Sequence, residues 1–165
     1  MIIKNVKVYT EEKEFVDGEI VIQEGKIEAA GPACLGADRA ASEETVIDGE
    51  GCYAIPGLID LHFHGCKGYD FCDGTKEAIE KIAEYEASVG VTAISPATMT
   101  LPVNELEDIL SVAAQYKAEV NSKATGQNSG ADLVGVNMEG PFISEEKKGA
   151  QDERNIISCD ADVCQ

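Results

Sequence analysis

The chain has 165 residues, 44% of them apolar, no Trp, and 31 acidic residues against 13 basic, a net charge of −18. So negative a surface repels phosphate backbones, which argues against sequence-independent binding of nucleic acid or an anionic membrane. Met1-Ile2-Ile3-Lys4-Asn5 opens no signal-like apolar core, and no run approaches the roughly 18 apolar residues of a membrane span, so a cytoplasmic protein is expected.

The first 56 residues read as β-rich. A strand-like run carries Ile2, Val6 and Val8 and ends at Thr10. A second spans Phe15 to Ile22, and Gly25-Lys26-Ile27 turns the chain into a third. The Ala-, Gly- and charge-rich tract from Gly31 to Glu44 reads as loop, and short strands are expected at 45–48 and 52–55 around Gly49 and Gly51.

From Gly57 the pattern changes to strand followed by helix, repeated. A strand is expected from Leu58 to His64, then a Gly-rich loop through Asp73-Gly74. A helix follows from about Thr75 to Val89, with Ile79, Ile82, Ala83 and Val89 on one stripe and Gly90 as its stop. Val91 to Pro96 is the next apolar strand, and Pro102 opens a helix with Val103, Leu106, Leu110, Ala113 and Val120 at helical spacing. Asn121 to Gly130 reads as a polar loop and 132–138 as a third strand. Strands alternating with amphipathic helices indicate parallel βα units. No glycine-rich phosphate loop follows any of these strands, so a nucleotide-binding sheet has little support.

The chemistry gathers at strand ends. His62 and His64 are the only histidines, and a strand's period of two sends both from one face, together with Leu58 and Asp60. Two imidazoles side by side suit a metal ion. Ile59, Leu61 and Phe63 form the opposite face, suited to packing against helices. Glu139, at the end of the third strand and before Gly140-Pro141, is a further ligand or a general base. Cys66 and Cys72 flank the His-x-His loop, yet small apolar fillers describe them better than ligands do. No Cys-x-x-Cys occurs, and the six cysteines are expected as free thiols. Lys147-Lys148-Gly149-Ala150-Gln151 is the one basic spot, readable as an anion-contacting loop or as a solvated charge pair. Ser95, Thr98 and Thr100 follow the second strand and either meet a ligand or satisfy loop backbone. Two histidines and one carboxylate are at most three ligands, borderline for one catalytic zinc.

The run Pro56-Gly57-Leu58-Ile59-Asp60-Leu61-His62-Phe63-His64-Gly65 resembles the metal-binding opening of the amidohydrolase superfamily. With Gly90-Val91-Thr92 and with Glu139-Gly140-Pro141-Phe142-Ile143-Ser144 through Lys148-Gly149-Ala150-Gln151, the chain resembles the N-acetylglucosamine-6-phosphate deacetylase family in particular. The resemblance covers the whole chain but only the N-terminal portion of a usual member. It implies an α/β fold: an incomplete (β/α)8 TIM-type barrel, its first three βα units in 57–165, preceded by part of a small β-sandwich in 1–56. It implies hydrolysis of the acetamide of N-acetylglucosamine 6-phosphate to acetate and glucosamine 6-phosphate. His62 and His64 would bind one divalent metal, most readily zinc, with iron or another divalent ion as substitutes. Glu139 would serve the principal metal site, bridging when two metals are present. Ala150 would offer its backbone amide to the sugar phosphate, with Gln151 beside it, and a full-length protein would pair as a homodimer. The family's later histidine ligands and its general-base aspartate would fall beyond Gln165, so these residues alone are expected to be inactive. Another amide hydrolase of the superfamily, or a non-catalytic piece with a structural metal, are the rival readings.

Overall fold

A computed structural model of the chain describes residues 1–32, 45–122, 129–161 and 163, in two compact units, Met1–Pro56 and Gly57–Gln165. Cys34, Cys164 and most of the two expected loops, 33–44 and 123–128, lie outside the described residues.

In the first unit, β1 (Ile2–Tyr9), β2 (Phe15–Gln23) and β3 (Lys26–Gly31) form an antiparallel meander. β4 (Val46–Asp48) and β5 (Tyr53–Ala54) then pair with β1 in parallel. One extra residue bulges β1 between Ile3 and Val6, where Asn5 takes a positive φ of 56°. Its side-chain amide donates to Asp48 Oδ1 at 3.0 Å, which ties the bulge to β4. Ile2, Val6, Val8 and Val21 turn to the interior, while Lys4, Asn5 and Tyr9 face water.

The second unit is mixed α/β. Its parallel sheet has the order β10-β9-β6, from β6 (Leu58–Asp60), β9 (Val91–Ile94) and β10 (Asp132–Leu133). After β6 the chain makes a small hairpin, β7 (Gly65–Cys66) with β8 (Tyr69–Asp70), and a 3-10 turn over Phe71–Asp73. The Gly-rich stretch expected as loop therefore holds local structure, with the Asp70 side chain accepting from Cys72 N–H and Gly74 closing the turn at φ 60°. Thr75 caps α1 (Lys76–Ser88), its Oγ1 accepting from Ala78 N–H at 3.1 Å. The second helix, α2, runs Val103–Ser122.

Phe71, Ile79, Ile82, Ala83, Ile94, Ile109, Ala113, Tyr116 and Leu133 make one core from both helices, β9 and β10. Each buried Ile or Leu there contributes roughly 1.5–3 kcal/mol. Three expectations change. On α2 the expected Leu106 and Ala113 are buried and Val120 packs against the core, but Ile109 and Tyr116 join the core in place of Leu110. Val89 leaves the stripe of α1, since it caps the helix and is exposed. Ile59 and Leu61 do not meet a helical layer: they are 61% and 63% exposed, because α1 lies on β9 and β6 is the sheet's edge.

Candidate metal centre

Hydrogen bonds across strand ends assemble the site. The strand that leads to the histidines stops at Asp60, four residues short of the expected end at His64, yet the segment beyond stays alongside its neighbour. Ser95 N–H donates to Asp60 O at 2.8 Å and Ala97 N–H to Phe63 O at 2.7 Å. Asp60 Oδ1 accepts from His62 N–H, and His64 O accepts from Phe71 N–H at 2.7 Å, which holds both histidines at the backbone. The chain after β10 is fixed the same way. β10 stops at Leu133 instead of residue 138, but an isolated bridge pairs Ala97 with Asn137, and Asn137 O accepts from Thr98 N–H at 3.0 Å.

That arrangement brings His62, His64 and Glu139 together, with one donor atom of each within 4.8 Å of the others. Glu139 Oε2 lies 3.1 Å from His64 Nε2 and 3.5 Å from His62 Nε2, and the two rings stand edge to face at 82°. Two ligands on one zinc, at the usual bond lengths and a tetrahedral angle, are about 3.3 Å apart, so these separations suit a shared divalent cation. Nitrogen and carboxylate donors are the set that zinc and its neighbours accept. His64 Nδ1 is buried without a hydrogen-bond partner among the described residues, unlike a histidine satisfied within a core. His62 is about half exposed, so the cluster opens to solvent.

The remaining expected residues lie elsewhere in the second unit. Ala150 is exposed in the turn after Gly149, which has φ 60°. Gln151 is buried at 4% exposure, and its Oε1 accepts from Thr100 N–H at 2.7 Å. Thr100 is itself buried; its Oγ1 donates to Glu139 O at 2.9 Å and its own carbonyl accepts from Asn155 Nδ2. The Gln151 carboxamide is thus occupied inside the protein, two hydrogen bonds from Glu139. Lys148 Nζ donates to Gln151 O at 3.2 Å and sits 3.6 Å from Glu153 Oε2, while Lys147 stays exposed. Cys72 Sγ accepts from Met99 N–H, and burial pushes the Cys66 and Cys72 thiols up, so neither is a ready thiolate. Of the three hydroxyls after β9, Thr100 satisfies backbone, as one of the two readings had it. Thr98 Oγ1 is buried without a partner among the described residues. Sequence reasoning missed Asn137, whose Nδ2 lies 3.0 Å from His62 Nδ1 and 3.2 Å from Leu61 O. Its only signal was a polar residue on the strand face two positions before Glu139.

No family model matches the chain. An N-acetylglucosamine-6-phosphate deacetylase from Vibrio furnissii is 38% identical over 96 residues, 58% of this chain and 22% of that protein. One from Bacillus subtilis is 26% identical over 163 residues, 99% of this chain and 39% of that protein. Among solved structures, the N-acetylglucosamine-6-phosphate deacetylase of Thermotoga maritima superposes with a TM-score of 0.75 at 29% identity, over 99% of this chain and 39% of that one. The chain is a relative of the N-acetylglucosamine-6-phosphate deacetylases. It spans about two-fifths of the length of the Bacillus and Thermotoga deacetylases and about a fifth of the Vibrio deacetylase. The second unit's mixed α/β architecture is that of the deacetylase structures, and no helix among the described residues is long and apolar enough to cross a membrane.

Proposed function

We propose that this chain carries part of the metal centre of a hydrolase that removes the acetyl group of N-acetylglucosamine 6-phosphate. The observation that carries the reading is the meeting of His62, His64 and Glu139 from two different strand ends within 4.8 Å. The deacetylase relatives supply the substrate class and the reaction. On this reading the parallel sheet of the second unit is the opening of a (β/α)8 barrel, whose catalytic face lies at the strand C-termini, and the first unit is part of a β-sandwich. His62, His64 and Glu139 hold a divalent cation, zinc first. Such a cation supplies Lewis acidity toward a carbonyl and acidifies water.

The chain's own residues set the geometry. Asp60 and Phe71 hold the backbones of His62 and His64, and Thr100 holds that of Glu139. Ala150, in its exposed turn, offers a backbone amide to the sugar phosphate. Among the described residues the cluster offers three donors and one carboxylate, and with Glu139 on the cation none of the three is left as general base; inactivity of these residues by themselves is part of the proposal. A cytoplasmic location and a homodimer at full length complete the proposal.

Titration of the chelator-treated chain with zinc, followed by calorimetry, tests the metal centre. One zinc per chain is expected, with at least about tenfold weaker binding in His64→Ala and in Glu139→Gln. No binding, or binding that neither substitution alters, refutes it. Robust release of acetate from N-acetylglucosamine 6-phosphate by the zinc-loaded chain refutes the claim of inactivity.

A further inference from the structure

The amide of Asn137 touches both the backbone and the ring of the first histidine segment. Its Nδ2 lies 3.2 Å from Leu61 O and 3.0 Å from His62 Nδ1. A backbone carbonyl only accepts hydrogen bonds, so the amide's NH2 end must be the one that faces Leu61. The second N–H of that group then points to the ring nitrogen 3.0 Å away, and His62 Nδ1 has to accept it. A neutral imidazole with a bare Nδ1 carries its proton on Nε2. In His62 that is the nitrogen facing Glu139 Oε2 at 3.5 Å, where the N–H meets a carboxylate.

This arrangement suits the metal-free cluster and conflicts with the loaded one. A cation between His62 Nε2 and Glu139 needs Nε2 bare and the proton on Nδ1, where a metal-bound histidine ordinarily donates to an acceptor. The NH2 of Asn137 cannot accept it. We infer that Asn137 is a positioning residue that holds His62 in the Nε2–H form, and that cation loading at His62 requires the Asn137 amide to turn and present Oδ1 to Nδ1–H. One proton leaves Nε2 for solvent and one enters at Nδ1, so the ring remains neutral. The N–H···Nδ1 bond is exchanged for Nδ1–H···Oδ1, while the bond to Leu61 O is lost and Oδ1 must swing clear of that carbonyl, since both oxygens only accept. His64 meets no such obstacle. Its Nδ1 has no hydrogen-bond partner among the described residues, and its Nε2 is the nearer of the two to Glu139, at 3.1 Å. His64 and Glu139 therefore form the entry pair, and His62 closes on the cation last. The loading step rests on the metal-centre reading above; the metal-free assignment does not.

Long-range proton–nitrogen spectra of the 15N-labelled, chelator-treated chain test both parts at about pH 8, where an ordinary histidine is neutral. The two rings are assigned with His62→Ala and His64→Ala. His62 is expected with an unprotonated Nδ1 and a protonated Nε2, and zinc should reverse the pair. An Nδ1–H form of His62 in the metal-free chain overturns the inference without any variant having to fold. Asn137→Asp offers an acceptor on either oxygen and should move the metal-free ring to Nδ1–H and tighten zinc binding by about tenfold or more. Unchanged or weaker binding by a folded Asn137→Asp chain overturns the loading step. Failure of the wild-type chain to bind zinc refutes the metal centre and the amide turn with it, while the metal-free spectrum still decides what Asn137 does.

Discussion

Replacing Gln151 separates a residue that holds the site from one that touches a ligand. Gln151 and Thr100 are 4% and 1% exposed, and the Thr100 N–H has Gln151 Oε1 as its acceptor at 2.7 Å. Gln151→Ala leaves that N–H buried and unsatisfied, at a cost of about 1–3 kcal/mol. It also removes one buried methylene, about 0.8 kcal/mol. Freeing the chain from an ordered glutamine returns about 1.5–2 kcal/mol of side-chain entropy, so the net loss for Gln151→Ala is about 0–2 kcal/mol. Gln151→Met fills nearly the same volume and carries a similar entropy cost but lacks the acceptor, so it isolates the hydrogen bond. A loss of about 1–3 kcal/mol is expected for it, read from the urea midpoint at constant m-value. Because Thr100 Oγ1 holds Glu139 O at 2.9 Å, both variants should also weaken zinc binding. A Gln151→Met chain within about 0.5 kcal/mol of wild type, the range of ordinary surface changes, refutes this reasoning.

Two further outcomes follow from the same unit. Burial first, and then the charge of Asp60, raise the Glu86 carboxyl above its ordinary value of 4.5. The folded chain thus keeps a proton over a window in which the unfolded chain has lost it, and stability falls as pH rises through that window. Glu86→Gln should therefore raise the melting temperature at neutral pH and change it little below about pH 4, where both states are protonated. An equal shift at both pH values refutes the assignment. Gly140 has φ 100°, and a Cβ there would lie 2.1 Å from Thr100 Oγ1, so Gly140→Ala should cost about 2–5 kcal/mol through backbone strain and overpacking and displace Glu139. Unfolding curves overlapping those of wild type count against it.

Much of the candidate centre was legible because it depends on residue type and short spacing. The chain has only two histidines, and i, i+2 spacing in an extended segment puts both rings on one side whether or not the ladder continues past Asp60. Glu139 could be named because a carboxylate between apolar residues and Gly140-Pro141 has few other uses. Alternating apolar runs and helical stripes likewise exposed the βα order of 57–133, since periodicity is a local property.

Periodicity put Leu106, Ala113 and Val120 on the core side of α2 but could not give the parts of Ile109 and Tyr116, which join the core shared with α1 and β9, nor the exposure of Ile59 and Leu61 on an edge strand. The two groups with the most specific roles beside the centre, Gln151 and Asn137, were beyond a linear reading for the same reason. Gln151 reaches Thr100 across 51 residues, and Asn137 reaches His62 across 75. The sequence by itself determined which atoms could bind a cation, because donor chemistry belongs to each side chain. Only the tertiary structure decided which neighbours hold those atoms in place, because a hydrogen bond between distant residues exists only once the strand ends have met.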